Sequence, residues 1–135
     1  MTEAFSGPEK QGARDFLEEV KQTITNPSSR YDSWLLVKRK ENVECITELG
    51  FTLNDVRDAI LGLSVVDYCA GPLQDRVMPG DLWVFGKALQ GREVYIKVKL
   101  ARFGPVKIVR IVSFHFAGES LRYPFRPEEK RKGGT

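Results

Sequence analysis

The chain has 135 residues, of which 41% are hydrophobic and 29% are charged. These proportions exclude a disordered or fibrous chain, and the length suits one domain with its own core. No apolar run is long enough to cross a bilayer, and the N-terminus lacks an apolar secretory core, so we predict a cytoplasmic protein with no membrane partner. A formal net charge of +3 permits an anionic partner without requiring one.

The chain contains few of the cysteine and histidine residues that bind metals or carry redox chemistry. Cys45 and Cys69 are too few and too far apart for a disulfide framework or a zinc site, so we expect two reduced thiols. His115 is the only histidine, and there is neither a carboxylate pair nor a nucleophile elbow. We therefore predict no metal and no cofactor.

The N-terminal third predicts an arm, a helix and a short strand. Residues 1–12 lack periodicity and carry turn residues at Ser6-Gly7-Pro8, which indicates a flexible arm. From Ala13 to Thr25 four apolar residues recur at helical spacing, and Asn26-Pro27 should end that helix. The four are Phe16, Leu17, Val20 and Ile24. Residues 31–40 favour a short strand, with a helix entry as the alternative.

The middle of the chain predicts further helical turns and then a loop. Thr52 and Asp55 have the spacing of a capping box, which predicts a helix over Leu53–Leu63. The same spacing recurs from Ser64 to Asp67, which predicts a second short turn ending near Tyr68. Residues 71–80 are polar and contain prolines, and we expect them to form a loop.

The C-terminal half predicts a meander of three antiparallel strands at residues 83–87, 93–100 and 107–116, with turns at Gln90-Gly91 and Phe103-Gly104-Pro105. The middle strand alternates strictly, so that one face should be buried and the other exposed. The apolar set is Val94, Ile96, Val98 and Leu100, and the other set is Glu93, Tyr95, Lys97 and Lys99.

These elements predict an α+β domain over residues 13–127, an antiparallel meander with the N-terminal helices packed on its apolar face. An aromatic edge from Leu121 to Arg126 should pack onto the sheet. The charged residues 128–135 should form a disordered tail.

Several short segments occur together in an order that resembles the MqsR family of bacterial toxin–antitoxin toxins. They are Leu49-Gly50, Ile60-Leu61-Gly62-Leu63-Ser64, Asp67-Tyr68, Trp83, Val94-Tyr95-Ile96-Lys97 and Val112-Ser113-Phe114-His115. The resemblance covers roughly residues 39–116. It implies a RelE-like α+β fold, cleavage of messenger RNA without a metal, and a cognate antitoxin protein as partner.

Only some of the residues that carry activity in this family are present at the corresponding positions of this chain. The strand tyrosine corresponds to Tyr95, and His115 occupies the position of a basic residue that is a lysine in the family. The lysine and glutamine of the family fall at Ala70 and Val84, so this chain has lost both side chains.

Strand parity places the predicted site on the polar face of the meander. If Tyr95 pairs with Ser113, then His115 lies diagonal to Tyr95, at roughly 7–8 Å between backbones. In this interpretation Ile108, Val112, Phe114 and Phe116 share the apolar face. Each candidate residue could also have a purely structural role, because aromatic residues in strands are usually packing residues and lysines in strands are often solvated.

The resulting hypothesis is a metal-independent endoribonuclease that uses the 2′-hydroxyl of RNA as its nucleophile. Histidine exchanges protons near neutral pH, so His115 would act as general acid or base. Lys97 would stabilise the charged transition state, and Tyr95 would orient or stack the substrate. Lys87, Lys99 and Arg110 are further candidates for RNA binding. The alternatives are a non-catalytic RNA- or ribosome-binding module and a protein-interaction domain.

Overall fold

The structure is a computed structural model that describes residues 3–26 and 33–127. Within those ranges it contains three α-helices, one 3₁₀ turn and five strands. In chain order these are α1 Glu3–Thr25, β1 Trp34–Leu36, α2 Lys40–Leu49, α3 Leu53–Leu61, the turn Val65–Asp67, β2 Tyr68–Gln74, β3 Asp81–Leu89, β4 Arg92–Phe103 and β5 Val106–Phe116. The predicted tail, residues 128–135, lies outside the described residues, as do residues 1–2 and 27–32.

The strands form one sheet in the order β1-β5-β4-β3-β2, and the predicted α+β class is confirmed. The meander β3-β4-β5 is antiparallel, as predicted. The sheet as a whole is mixed rather than antiparallel, because β1 runs parallel to β5 with Trp34 opposite Val109. Helices α2 and α3 separate β1 from the meander along the chain, which supplies the long connection that a parallel pair requires.

Helix α1 begins well before the predicted start, so the interpretation of residues 3–12 as a flexible arm is wrong. Pro8 lies inside the helix. After these turn residues, the helix lies against the rest of the fold at Lys10 and Gly12. A Cβ on Gly12 would lie 3.5 Å from Trp83, and the Lys10 ammonium lies 6.0 Å from the Phe125 ring centre. The predicted C-terminal end at Thr25 is confirmed.

The sequence interpretation missed two elements. Helix α2 was not predicted, although its buried residues Asn42, Cys45 and Leu49 have helical spacing and Gly50 ends it in the left-handed conformation, with φ 70°. Strand β2 runs through part of the predicted loop, residues 71–74. Pro72 is compatible with this strand because β2 lies at the edge of the sheet. The backbone groups on the outer side of an edge strand need no partner strand, so a missing N–H is tolerated there.

The capped helical turns are confirmed. Thr52 Oγ1 accepts from the N–H of Asp55 at 3.2 Å, and the Asp55 carboxylate accepts from the N–H of Thr52 at 2.8 Å. The second box, between Ser64 and Asp67, is also formed. Helix α3 ends at Leu61, just short of the predicted Leu63.

The predicted alternation of β4 is confirmed from Val94 to Val98, because Val94, Ile96 and Val98 are at most 1% exposed; beyond them Lys99 of the predicted polar set is buried and Leu100 is half-buried. Their face packs against apolar residues of all three helices, including Val20, Cys45 and Ile60. Within the described residues, no helix is long and apolar enough to span a membrane.

The predicted parity of β5 is wrong over its first half. Val109, Ile111 and Phe114 all belong to the core, yet Ile111 and Phe114 are an odd number of residues apart. The pairing with β4 skips from Ser113 opposite Lys97 to Ile111 opposite Val98. Val112 is therefore the extra residue of a β-bulge, which moves the core-facing set from odd to even positions. Ile108 and Val112 accordingly do not join the core cluster.

Candidate functional site

The sheet face opposite the helices carries most of the predicted site. We call it the open face and define it by Tyr95 and Lys97 on β4 and His115 on β5; Ser113 lies on the same side but is only 2% exposed. These residues alternate with the buried apolar residues of the same strands, so they face away from the helical layer. Tyr95 pairs directly with His115, and Lys97 with Ser113.

The register corrects the predicted pairing of Tyr95 with Ser113 and brings the two ring side chains closer than expected. The ring centroids of Tyr95 and His115 lie 5.2 Å apart with an interplanar angle of 19°, which is a stacked arrangement. Both side chains are half-buried. A directly opposed pair on neighbouring strands is the closest side-chain contact that a sheet offers.

The backbone determines how the imidazole of His115 is oriented. Its Nδ1 atom lies 3.1 Å from the carbonyl oxygen of Phe116. Because a carbonyl oxygen only accepts, this contact assigns the proton to Nδ1. In the neutral ring Nε2 then remains as the acceptor that can take a proton from a ligand.

Lys97 brings a positive charge to the stacked rings. Its ammonium lies 5.8 Å from the centre of the Tyr95 ring. Among residues 3–26 and 33–127, no carboxylate forms an ion pair with Lys97. An ammonium without a protein counterion, on a half-exposed side chain, can bind an anionic group of a ligand.

The two positions at which the chain departs from the MqsR pattern lie in line with Lys97 across the sheet, one on the neighbouring strand and one on the strand beyond it. Val84 on β3 pairs with Lys97, and Ala70 on β2 pairs with Val84. Val84 is only 4% exposed. Small apolar residues therefore occupy the β2–β3 side of the site, and its polar groups come from β4 and β5.

Burial sets the protonation of the weak acids on this side of the sheet. Desolvation raises the pKa of the Tyr95 hydroxyl. Burial also raises the pKa of the Cys69 thiol to about 12, with the Glu93 charge as the next cause. Both groups therefore stay protonated at neutral pH, and neither is a ready base or nucleophile.

Lys99 lies on the same side of β4 but is not available to a ligand. Its side chain is 2% exposed, and the ammonium lies 2.6 Å from the Asp75 carboxylate. It also donates to the carbonyl oxygen of Met78 at 3.4 Å. The β2–β3 connection thus covers this lysine, and we leave it out of the site.

The other two basic candidates differ in position. Lys87 lies on the helical side of the sheet, opposite buried Val94, and donates to the Asp67 carboxylate at 3.2 Å. Arg110 pairs with Lys99 and is half-buried, and within the described residues no carboxylate forms an ion pair with it. The structure therefore brings together Tyr95, Lys97 and His115, with Arg110 further along the same face.

The segment after β5 borders the site. We call residues 121–126 the strap. The Tyr123 hydroxyl donates to the Glu93 carboxylate at 2.6 Å, and the backbone N–H of Leu121 donates to the same carboxylate at 3.2 Å. Phe125 stacks on Tyr68 with ring centroids 4.9 Å apart, which confirms the predicted aromatic edge.

Sequence reasoning did not assign Glu93 or Tyr123 a place at the site. Glu93 belongs to the polar set of β4, two residues before Tyr95, and that parity was a usable signal. Tyr123 is distant in sequence, and no local pattern indicates that it reaches β4. The strap narrows the open face on the β3 side of Tyr95.

Within the described residues, no group of three or more His, Cys, Asp or Glu side chains is placed to hold a metal ion. Comparisons with protein-family models, with curated proteins and with solved structures find no match to this chain.

Proposed function

We propose that this protein is a metal-independent endoribonuclease that cleaves messenger RNA through the 2′-hydroxyl, and that it is the toxin of a cytoplasmic toxin–antitoxin pair. The observation that carries the proposal is the stacked pair of Tyr95 and His115 beside the ammonium of Lys97, for which the described residues provide no carboxylate partner. The resemblance to the MqsR family supports it, since two of these residues fall at the family's functional positions.

The proposed chemistry needs a proton carrier and a positive charge. The 2′-oxygen attacks the adjacent phosphorus, the bond to the 5′-oxygen breaks, and a 2′,3′-cyclic phosphate and a 5′-hydroxyl result. His115 takes the proton from the 2′-hydroxyl or delivers one to the leaving 5′-oxygen through Nε2. Lys97 stabilises the negative charge that develops on the phosphoryl oxygens. Tyr95 holds the imidazole plane and borders the bound base.

The first experiment removes the proton carrier. His115→Ala should lower the cleavage rate by about 10²–10⁴-fold, the usual contribution of a positioned acid–base group. The assay uses RNA with EDTA present, together with an oligonucleotide that carries 2′-deoxyribose at the cut site. A matched control is Lys107→Ala, because the Lys107 ammonium pairs with Glu19 of α1 at 3.0 Å, outside the proposed site. Cleavage by the wild type that requires a metal, or that tolerates the 2′-deoxy substitution, would reject the mechanism.

A second candidate function is an RNA-binding module without activity, favoured by the apolar pair Ala70 and Val84 beside Lys97. Both functions predict that RNA affinity falls with rising salt, because phosphate contacts release counterions. Lys97→Ala should reduce that salt slope by about one counterion, whereas Lys107→Ala should reduce it less. Salt-sensitive binding without cleavage products would select the binding module. Salt-insensitive affinity would reject both.

The toxin assignment is tested in cells. Expression should arrest bacterial growth, co-expression of the neighbouring gene should relieve the arrest, and His115→Ala should abolish it. Growth arrest that persists in His115→Ala would separate toxicity from the proposed chemistry.

A further inference from the structure

We propose that Asn42, a buried amide on α2, is the positioning residue that holds the bulge of β5 and thereby turns His115 toward Tyr95. The proposal rests on the proposed function only for its effect on cleavage, because its geometry can be tested without RNA. Asn42 lies outside the open face and has no direct access to a substrate there.

The side chain of Asn42 is 0% exposed and makes three hydrogen bonds, two of them to β5 at the bulge and one to Val37 after β1. Its Nδ2 donates to the carbonyl oxygens of Val37 at 2.9 Å and Val112 at 3.1 Å. Its Oδ1 accepts from the backbone N–H of Phe114 at 2.8 Å. Two carbonyls require a donor and one N–H requires an acceptor, so these partners determine the orientation of the amide.

These bonds hold backbone groups of β5 on both sides of Ser113. The N–H of Ala117 donates to the carbonyl oxygen of Glu93, so Ser113 and His115 direct their N–H groups toward β4 and Phe114 directs its N–H toward the other edge of β5. Strand β1 pairs with that edge only as far as Ile111. Backbone groups beyond it would destabilise the fold if they were buried and unpaired. Asn42 binds Val112 and Phe114, so one side chain supplies a partner to each.

The consequence for the site follows from strand parity. Val109 and Ile111 face the core. In an unbulged strand Ser113 and His115 would continue that set and point into the helical layer. A shift of one residue reverses the face of every side chain beyond it. The bulge therefore turns His115 to the open face and Phe114 into the core.

Burial of Phe114 favours the same arrangement, but it does not supply hydrogen-bond partners for these two backbone groups. An apolar residue at position 42 would keep the packing of Phe114 and leave the carbonyl of Val112 and the N–H of Phe114 without the amide. A substitution at position 42 can therefore remove the hydrogen bonds of Asn42 while the apolar core stays in place.

The experiment is NMR of the full chain, wild type and Asn42→Ala. In the wild type, the Phe114 amide should exchange slowly and show a coupling across the hydrogen bond to the side-chain carbonyl of Asn42. The rings of Tyr95 and His115 should show mutual contacts. In Asn42→Ala, protection of the Phe114 amide should fall by roughly tenfold or more, the scale of one lost hydrogen bond, and the ring contacts should weaken.

Val20→Ala is the matched control, because Val20 is 0% exposed in the core but belongs to α1. It should lower stability and keep both the coupling between the Phe114 amide and Asn42 and the ring contacts. Asn42→Asp can still accept from Phe114 but cannot donate to either carbonyl, so it should fall between the wild type and Asn42→Ala. An Asn42→Ala protein that folds and keeps both signals would overturn the proposal. If no variant folds, the wild type alone still tests the proposal. A wild-type Phe114 amide that exchanges fast and shows no coupling to the Asn42 side chain would also overturn it.

Cleavage supplies a separate readout. Asn42→Ala should lower kcat by about 10²-fold, because a small misplacement of a catalytic group has that effect, while KM changes far less. Loss of the ring contacts in a protein that cleaves no RNA would leave the positioning role intact and reject the proposed function. A cleaving protein whose kcat is unchanged in Asn42→Ala would reject the positioning role alone.

Discussion

Lys97 and Lys99 lie two residues apart on the same side of β4, yet they have opposite surroundings. Lys97 is half-exposed beside the Tyr95 ring, whereas Lys99 is buried and paired with Asp75. A buried ammonium must be paired, because the desolvation of an isolated charge is unfavourable. The β2–β3 connection supplies that partner, and one of two similar lysines therefore becomes structural.

The pair of Lys99 and Asp75 predicts a pH dependence of stability. The hydrogen bond from Lys99, with a smaller contribution from the N–H of Val77, lowers the pKa of Asp75 from 3.8 to about 2. A carboxyl group with a lowered folded pKa stabilises the fold above its unfolded pKa, and that stability is lost as pH falls through the folded value. The free energy of unfolding should therefore fall from pH 3.8 to about 2 more steeply in the wild type than in Asp75→Asn.

Urea unfolding at successive pH values measures this difference. The curves of the wild type and Asp75→Asn should converge only below about pH 2, because Asp75 is then protonated in the folded as well as the unfolded state. Parallel curves across the whole range would show that the pair does not couple to folding.

At the scale of elements, the strap and β3 fit together because Gly86 has no side chain. A Cβ on Gly86 would collide with the hydroxyl of Tyr123 and with Leu121. The strap is held by the bonds to Glu93 and by Arg126, whose guanidinium pairs with the Asp67 carboxylate at 3.5 Å. Its position next to Tyr95 therefore depends on a single glycine in the neighbouring strand.

Gly86→Ala should release the strap from the sheet and lower the free energy of unfolding by about 1–3 kcal/mol, the usual effect of overpacking. The exposed Arg122 should then be cleaved faster by trypsin. The matched control is Gly118→Ala in the segment that leads to the strap, because a Cβ there meets nothing within 4 Å. Equal rates of cleavage at Arg122 in Gly86→Ala and Gly118→Ala would contradict the close packing of the strap on Gly86.

At the scale of the whole molecule, the two faces of one sheet have separate roles. The helical face contains Phe85, Ile96 and Phe114, each 0% exposed. The open face carries the polar groups that we assign to RNA. Because strand residues alternate between faces, the two sets can be changed independently.

Phe85→Ala should lower the free energy of unfolding by about 3–5 kcal/mol, because it removes a buried aromatic ring from the core. Lys97→Ala should change it by less than about 0.5 kcal/mol while weakening RNA binding. Urea unfolding and RNA titration of both variants provide the comparison. A comparable loss of stability in Lys97→Ala would mean that the open face is structural.

The sequence alone determined the elements whose signals are local. The alternation of β4, the turn at Gln90-Gly91, the capping box at Thr52 and the stripe of α1 each depend on neighbours within a few residues, and each is confirmed. Local signals also predicted a polar face that carries Tyr95, Lys97 and His115. They failed at residues 3–12, where a turn-rich segment is helical and Lys10 and Gly12 lie near Phe125 and Trp83 of distant elements.

Only the tertiary structure decided which polar residues meet. The bulge at Val112 depends on Asn42, distant in sequence, so the direct pairing of Tyr95 with His115 is invisible to strand parity alone. The burial of Lys99 similarly depends on Asp75 in another connection. Hydrogen bonds and ion pairs between distant segments have no periodic signature in the sequence, because each is set by how whole elements pack.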